Sequence, residues 1–502
     1  MTAGRQKISS SVLRQTTALL VVLLAGCAVG PDFQKPASPA TDRYTAQPPG
    51  ATPATTGVAG GAAQHFASGA DITADWWSLF HSAPLNALIE EALKNSPDLK
   101  AAQAALRQAH ETMLAGRGAL YPTVTAGFSA SREQDPPGAL APVPSNNAFL
   151  YDLFTPQLSI SYMPDVFGLT RRTMESAAAQ EQAVRYQMIA AFTTLTSNVA
   201  VAAINLGATE TQIEASRELM RSQDEMLEIL QYQQTKGYAS GLDVAAQEAQ
   251  LAQTNATLPP LIKQEAQLRD LLAFLVGRFP ANAPTDNFAL ETLTLPQEVP
   301  LSLPSALVEQ RPDVLQAQEN MHAASAQIGI AVANRLPNLT LTGNAGSTAL
   351  QIGQVFGTGT GFWNIGAALA APIFDGGALK HQEYAARAAY DQAAQQYRST
   401  VLGAFQNVAD TLVALQQDAE GLKAAARSAD AAQRSLDLTQ RQYKDGYAAY
   451  LALLTAQQTY QQARIALVQA QASRFADTAA LFQALGGGWW HQSELARNDH
   501  DQ

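Results

Sequence analysis

The chain has 502 residues, of which 47% are hydrophobic and 15% charged, so it can form large apolar cores and is not compositionally disordered. Its formal net charge of -11 argues against nucleic acid and anionic lipid headgroups as partners, because both require basic patches. Its single cysteine, Cys27, excludes an intrachain disulfide.

The N-terminus has the pattern of an export signal. Basic residues precede an apolar run over Leu19–Ala25 that is too short to span a bilayer, so we expect residues 1–26 to be removed. The run Leu24–Cys27 resembles a bacterial lipobox, which would leave Cys27 as an acylated N-terminus. The alternative is a free thiol at the end of a signal helix. Residues 27–75 are rich in Pro, Ala, Thr and Gly, and predict a lipidated, extended tether.

Two long helices dominate the rest of the chain. The first is predicted over 170–236, which contains no proline and would be roughly 100 Å long. The second is predicted over 378–445. Because a seven-residue period keeps one seam facing a partner, each helix requires neighbours from within the chain or from other chains. A purely structural coiled coil is the alternative for these segments. The seven-residue series are Phe192, Val199, Leu206, Ile213, Met220 and Leu227, and Val401, Val408, Leu415, Leu422, Ala429, Leu436 and Tyr443.

Strict alternation of apolar and small polar residues predicts four strands, in β-hairpins at about 121–165 and about 337–374. Each strand is about ten residues long, which suits a tilted crossing of a bilayer. Four such strands cannot leave open edges in hydrocarbon, and closed membrane barrels begin at about eight strands. We therefore expect an oligomer, in which two chains would supply eight strands and three would supply twelve.

The two halves of the chain are internal repeats. Pro97 and Pro312 are 215 positions apart, and Gly237 and Gly446 are 209 apart. Each half reads as helix, β-hairpin, long helix, tight turn and returning helix. The predicted fold is mainly α, with a strand-built membrane portion and a hollow oligomeric tube. The predicted segments are repeat 1 at 76–300 with its returning helix at 242–277, repeat 2 at 301–490 with its returning helix at 450–485, and a C-terminal tail at 491–502.

A series of short motifs occurs in a fixed order along the chain: Cys27–Phe33, Trp76-Trp77, Asn95–Leu99, Leu303–Ser305, Arg311–Val314, Leu339–Gly343, Pro372–Gly377 and Ala484–Trp489. In this order they resemble the outer membrane factor family, the TolC-like outer-membrane channels of tripartite efflux pumps, and specifically its lipoprotein branch. The resemblance extends over nearly the whole mature chain.

The resemblance implies a homotrimer in the outer membrane of a Gram-negative bacterium. It implies a twelve-stranded β-barrel, a coiled-coil α-barrel through the periplasm and a mixed equatorial domain. The expected partners are a periplasmic adaptor (membrane fusion) protein, an inner-membrane resistance-nodulation-division transporter and outer-membrane lipid. The implied function is a passive exit duct for drugs or other small toxic solutes. The alternatives are the outlet of a type I protein secretion system and a non-conducting structural periplasmic lipoprotein.

The resemblance also implies that two tight turns form the periplasmic tips that meet the adaptor. Gly237 and Gly446 suit the left-handed residue that ends a helix, so these turns also simply reverse the chain. The predicted tip residues are Gly237, Ser240 and Leu242 in the first turn, and Gly446, Tyr450 and Leu451 in the second.

In such channels, links between helices near the tips hold the pore closed. The candidates here are Asp437 and Arg441, which are four residues apart on one helix face, with Leu438 as an apolar constriction. The alternative is that Asp437 and Arg441 form an ordinary solvated pair.

Reactive constellations are not evident in the sequence. The seven histidines are scattered without a paired metal-binding spacing, and we find no nucleophile-elbow serine or Walker lysine. Gly357–Gly361 resembles a phosphate-binding loop, but it links two predicted strands and opens no helix. We therefore expect no enzyme activity, no metal and no cofactor other than a covalent lipid on Cys27.

Overall fold

A computed structural model describes residues 28–134, 136, 149–286, 288–492 and 495. The chain divides into two compact units, which we describe separately. Unit 1 comprises residues 1–35, 107–183 and 317–396, and unit 2 comprises residues 36–106, 184–316 and 397–502. Cys27, the export signal and most of the C-terminal tail lie outside the described residues.

Eight α-helices and six strands are described. The helices are α1 (Ala83–Asn95), α2 (Pro97–Arg117), α3 (Leu169–Thr235), α4 (Gly241–Leu275), α5 (Pro304–Gln310), α6 (Pro312–Ala333), α7 (Ala378–Lys444) and α8 (Tyr450–Ala484). The strands are β1 (His65–Ser68), β2 (Thr123–Gln134), β3 (Leu150–Tyr162), β4 (Glu298–Leu301), β5 (Asn338–Ser347) and β6 (Gly361–Ala370).

Helices α3 and α7 have 67 residues each, and α4 and α8 have 35 each. The seven-residue seams are buried within unit 2: Leu206 on α3 and both Val408 and Leu415 on α7 are inaccessible to solvent. Helix α3 also contains an 18-residue window with a mean hydropathy of 1.5, of which 67% is buried inside the protein. Its apolar character is therefore explained by packing against neighbouring helices.

Unit 1 contains a four-stranded antiparallel sheet in the order β2-β3-β5-β6. In the register, Val124 pairs with Ile160, Ile160 with Gly343, and Gly343 with Ile365. Within the described chain, β2 and β6 each pair along one edge only. The sheet therefore ends in two unpaired edges.

Unit 2 is built around aromatic residues at the base of the helices. Trp76 is 1% exposed and stacks on Phe482 with ring centroids 5.2 Å apart. Strands β1 and β4, which also belong to unit 2, form a short parallel pair. Residues 36–75, for which composition predicts an extended tether, are irregular but packed: Tyr44 donates to the Ser302 carbonyl at 2.9 Å, and Gln64 is fully buried. This segment is thus part of the folded unit.

Candidate functional site

The first helix turn joins α3 to α4. Gly237 has a φ of +79° and lies where α3 ends, and the Tyr238 amide donates back to the Gln233 carbonyl at 2.9 Å. This is the left-handed termination that glycine favours. Ser240 then caps α4: its hydroxyl accepts from the Asp243 amide at 3.2 Å, and the Asp243 carboxylate accepts from the Ser240 amide at 3.1 Å. Gly237 and Ser240 therefore shape the turn itself.

The second turn, between α7 and α8, repeats the backbone geometry with a different cap. Gly446 has a φ of +78°, and the Tyr447 amide donates to the Gln442 carbonyl at 2.7 Å. Ala449 occupies the N-cap position of α8 and has no side chain that could accept a bond. The two turns therefore share a shape but differ in how the returning helix begins.

The predicted tip residues differ in exposure. Leu242 is 78% exposed and Leu451 is 68% exposed, so both present apolar surface. Tyr450 is only 5% exposed and packs against Tyr443 with ring centroids 5.7 Å apart. Its hydroxyl donates to Gln247, and burial raises the pKa of Tyr450. Tyr450 therefore supports the turn from inside.

The sequence analysis did not select two tyrosines that the structure exposes. Tyr238 and Tyr447 are each 85% exposed, and each directly follows the left-handed glycine of its turn. The signal was available, because an aromatic residue beside the glycine recurs in both turns. Large, exposed tyrosines at a chain reversal are the kind of residue that anchors protein interfaces.

The gate candidates lie near the end of α7. Asp437 accepts a hydrogen bond from the Gln433 amide at 2.9 Å. In the described part of the chain, no ion pair joins Asp437 to Arg441, which is exposed. Leu438 is 58% exposed. Neither the solvated pair nor an intrachain gate link is formed, so a link to another chain stays a prediction.

A cluster of charged groups lies between α7 and α8 in unit 2. The Arg474 guanidinium is fully buried and donates to the Leu415 carbonyl and to Thr52 Oγ1, both at 2.6 Å. Burial lowers the pKa of Arg474 to about 10. Burial, together with the neighbouring carboxyl of Asp477, raises the pKa of Asp418 to about 7. Asp418 therefore lies in an environment that favours retention of its proton.

The cluster does not resemble a metal centre. Among the described residues, no group of three or more His, Cys, Asp or Glu side chains is placed to hold a metal ion. The candidate functional surfaces are the two exposed helix turns and the four-stranded sheet.

The chain is similar to known proteins over most of its length. The model of the family described as outer membrane efflux protein matches residues 88–278 and again residues 303–487. The toluene efflux pump outer membrane protein TtgC of Pseudomonas putida is 30% identical, with 95% of this chain and 96% of that protein aligned. The pyoverdine export outer membrane protein OpmQ of Pseudomonas aeruginosa is also 30% identical, with 84% of this chain and 90% of that protein aligned.

Solved structures agree with this assignment. The outer-membrane channel OprN matches with a TM-score of 0.82 at 25% identity, covering 92% of this chain and all of that one. The outer membrane protein VceC of Vibrio cholerae matches with a TM-score of 0.76 at 27% identity, covering 83% of this chain and 99% of that one. The mainly helical fold is therefore that of an outer-membrane channel, and the chain belongs to the outer membrane efflux protein family.

Proposed function

We propose that the protein is the outer-membrane exit duct of a tripartite efflux pump, and that it conducts small solutes passively. The observation that carries this proposal is the two-faced sheet. Its register aligns Val124, Ile160, Ile365 and their apolar neighbours on one face. Serine, threonine and asparagine occupy the other face, where Asn344 donates to Asn364 at 3.0 Å. One face suits lipid and the other suits a water-filled lumen.

Assembly as a homotrimer follows from the two unpaired edges. Unpaired strand edges cannot persist in hydrocarbon, and four strands are too few to close a barrel. Three chains would supply twelve strands, and their α3 and α7 helices would supply the wall of an α-barrel. The double match to the family model and the equal lengths of α3 and α7 support two repeats, at 76–300 and 301–490.

An N-terminal anchor is the second part of the proposal. Removal of residues 1–26 would leave Cys27 as the first residue, and acylation there would attach the chain to the outer membrane. Growth with labelled palmitate tests this directly: the label should enter the wild-type protein and be absent from the Cys27→Ser variant.

The partners are a periplasmic adaptor and an inner-membrane transporter of the resistance-nodulation-division type. The exposed turns suit the adaptor, with Leu242 and Leu451 as apolar contacts and Tyr238 and Tyr447 beside them. Gly237, Ser240, Gly446 and Tyr450 would act by holding the turns in shape. Asp437, Leu438 and Arg441 would form the resting constriction with the same residues of neighbouring chains.

The cargo is proposed to be small molecules. The relatives are named for toluene efflux and for pyoverdine export, which are chemically distant solutes. Because related ducts serve such different solutes, the duct itself would contribute little selectivity and the transporter would choose the cargo. The acidic chain would favour cationic solutes weakly.

Conductance tests the duct itself. The purified trimer should produce ion-conducting channels in planar lipid bilayers, because the polar face of the sheet encloses water. A folded trimer that inserts but passes no current under any voltage or pH would support the structural lipoprotein instead.

Complementation tests the efflux role. A deletion strain should become more susceptible to toxic solutes, and the wild-type gene should restore resistance. The Leu242→Asp/Leu451→Asp variant should assemble yet fail to restore it. The matched control is Ile352→Asp, which changes an equally exposed leucine-sized residue in the β5–β6 loop. Loss of secretion of one protein without any change in susceptibility would contradict efflux.

A further inference from the structure

The first described residues of the chain are held firmly in unit 1. We call residues Ala28–Phe33 the N-terminal strap. Arg172, near the start of α3, is 4% exposed and donates to the Val29 carbonyl at 3.0 Å and to the Gly30 carbonyl at 3.3 Å. It also donates to Asp32 Oδ1 at 2.7 Å. One buried guanidinium thus binds three residues of the N-terminal strap, through two carbonyl groups and one carboxylate.

Two glycines bring the N-terminal strap into backbone contact with its surroundings. A Cβ added at Gly329 on α6 would lie 2.9 Å from the Val29 carbonyl oxygen. A Cβ added at Gly168, which directly precedes α3, would lie 2.6 Å from the Ala28 Cα. The Val29 amide also donates to the Phe167 carbonyl at 3.0 Å. Gly168 and Gly329 therefore leave no room for side chains of their own where the backbone of Ala28 and Val29 packs against them.

The other end of the N-terminal strap is held by an aromatic stack. The Phe33 ring stacks on His322 of α6, with centroids 4.3 Å apart and planes 14° apart. His322 is itself fixed from both sides, because Nε2 lies 3.2 Å from Glu175 Oε1 and Nδ1 lies 3.2 Å from Glu319 Oε2. Glu175 also accepts from Arg172 at 2.7 Å. The residues that hold Phe33 and those that hold Asp32 therefore form one network.

We propose that Arg172, His322, Gly168 and Gly329 form a seat that fixes the chain at Ala28, the residue that follows Cys27 in the sequence. That point lies beside Gly168, in the connection between β3 and α3. The consequence for the acyl anchor rests on the proposed acylation of Cys27. The anchor is then attached rigidly to the end of a membrane strand. Because no flexible tether separates the acyl group from the folded unit, the anchor would set the depth of the sheet relative to the membrane surface.

The sole cysteine of the chain offers a direct test. Exporting the chain with a non-lipoprotein signal leaves Cys27 as a free thiol that a nitroxide can label, with no other cysteine to remove. In the wild-type trimer, continuous-wave electron paramagnetic resonance should report a slowly moving label. Pulsed dipolar measurements should give a narrow distribution of distances between the three labels.

Variants of the seat should release the label. Arg172→Gln removes the bonds to the N-terminal strap and should give a mobile label with a broad distance distribution. The control is Arg171→Gln, which changes the neighbouring arginine, whose bonds go to Asp165 at the β3–α3 connection. This control should leave the spectrum unchanged.

Two further variants keep the test decisive if Arg172→Gln fails to fold. The Asp32 side chain is 91% exposed, so Asp32→Asn removes the charge that pairs with Arg172 without opening a cavity in the interior. Gly329→Ala favours the α6 helix by about 1 kcal/mol in general, yet its methyl group would lie 2.8 Å from Arg172 Cγ and 2.9 Å from the Val29 carbonyl oxygen, and would displace both the Arg172 side chain and the N-terminal strap. Both should mobilise the label. A label that is mobile in the wild-type chain, or immobile in all of these variants, would overturn the seat.

The outcome is independent of the proposed function. Absence of palmitate from the native protein would refute the anchor while leaving an immobile label in place. A monomeric protein would give no dipolar signal, but the mobility of the label would still report on the seat within one chain. The mobility of the nitroxide label in the wild-type protein and in the variants is therefore the measurement that decides whether the seat exists.

Discussion

At the scale of single residues, the buried charges between α7 and α8 matter most for stability. Arg474 replaces its lost hydration with a carbonyl and a hydroxyl, and its burial lowers its pKa to about 10. Asp418 and Asp477 lie about one turn further along their helices, since each follows Leu415 or Arg474 by three residues. The Asp418 carboxyl is therefore close enough to both Arg474 and Asp477 for their charges to affect its pKa.

Asp418 predicts a pH-dependent stability. Burial and Asp477 raise its pKa from 3.8 to about 7, so the folded chain holds this proton more tightly than the unfolded chain. The stability that this proton supports is present below pH 4 and is lost as the pH rises through about 7. The Asp418→Asn variant cannot lose a proton. It should therefore gain stability over wild type at pH 8 relative to pH 5, by on the order of 1 kcal/mol after solvent screening.

Thermal unfolding of the detergent-solubilised protein at both pH values measures this difference. Asp410→Asn is the control, because Asp410 is an exposed aspartate on the same helix. An Asp418→Asn midpoint that differs from wild type by the same amount at pH 5 and pH 8 would contradict the shared-proton interpretation.

At the scale of elements, the two turns provide a natural comparison of helix caps. Ser240 and Asp243 form a capping box at the start of α4, whereas Ala449 leaves the start of α8 without a side-chain cap. Ser240→Ala should destabilise the first turn of α4 by about 1 kcal/mol. Ala449→Ser should stabilise the first turn of α8 by a similar amount. Hydrogen exchange of the amides following each cap measures both effects, and equal exchange in both variants would show that the caps do not control the turns.

Helix α3 also contains a close approach that α7 lacks. A Cβ at Gly207 would lie 1.8 Å from the Phe288 carbonyl oxygen, whereas a Cβ at Gly403 would meet nothing within 4 Å. Gly207→Ala should therefore displace the segment around Phe288 and lower the yield of folded protein. Gly403→Ala should be neutral or stabilising by up to about 1 kcal/mol, as alanine usually is in a helix. Yields and melting temperatures of the two variants measure the contrast, and a Gly207→Ala protein as stable as wild type would contradict it.

The sequence predicted the elements well because their signals are periodic. Helices predicted over 170–236 and 378–445 run from Leu169 to Thr235 and from Ala378 to Lys444. A seven-residue apolar repeat that continues over many turns identifies such a helix along most of its length. Alternation likewise identified the strands, since each apolar position returns to one face.

Contacts between single residues that are far apart in the sequence leave no periodic pattern from which they could be predicted. Arg474 binds Thr52, which is 422 positions away, and nothing in the composition of residues 27–75 indicates a buried partner. Tyr450 was predicted to contact the adaptor because it lies in the second tip turn, but the first residue of a helix can face either way and this one is buried. Periodicity predicts the orientation of an element, whereas a lone polar contact depends on the assembled fold.

At the scale of the whole molecule, the sheet sets the requirement for assembly. Its apolar face includes Trp363 and Ile365, which are 75% and 82% exposed in one chain. Its two edges, β2 and β6, are unpaired within the described chain. Insertion of a trimer into a bilayer would bury the apolar face in lipid. It would also pair the backbone groups of both edges with strands of the neighbouring chains.

Adjacent residues on β6 test this arrangement, because they face opposite sides of the sheet. Ile365 shares the apolar face, and Asn364 shares the polar face with Asn344. An arginine facing the middle of the membrane costs about 2–4 kcal/mol in an outer-membrane barrel, and a trimer would bear that cost three times. Ile365→Arg should therefore reduce the heat-resistant oligomer recovered from the outer membrane. Asn364→Arg should leave assembly intact and shift the conductance towards anions, because the new charge would line the proposed lumen. If Asn364→Arg blocked assembly while Ile365→Arg was tolerated, the polar face would be the one in lipid, and the proposed duct would have no aqueous lining.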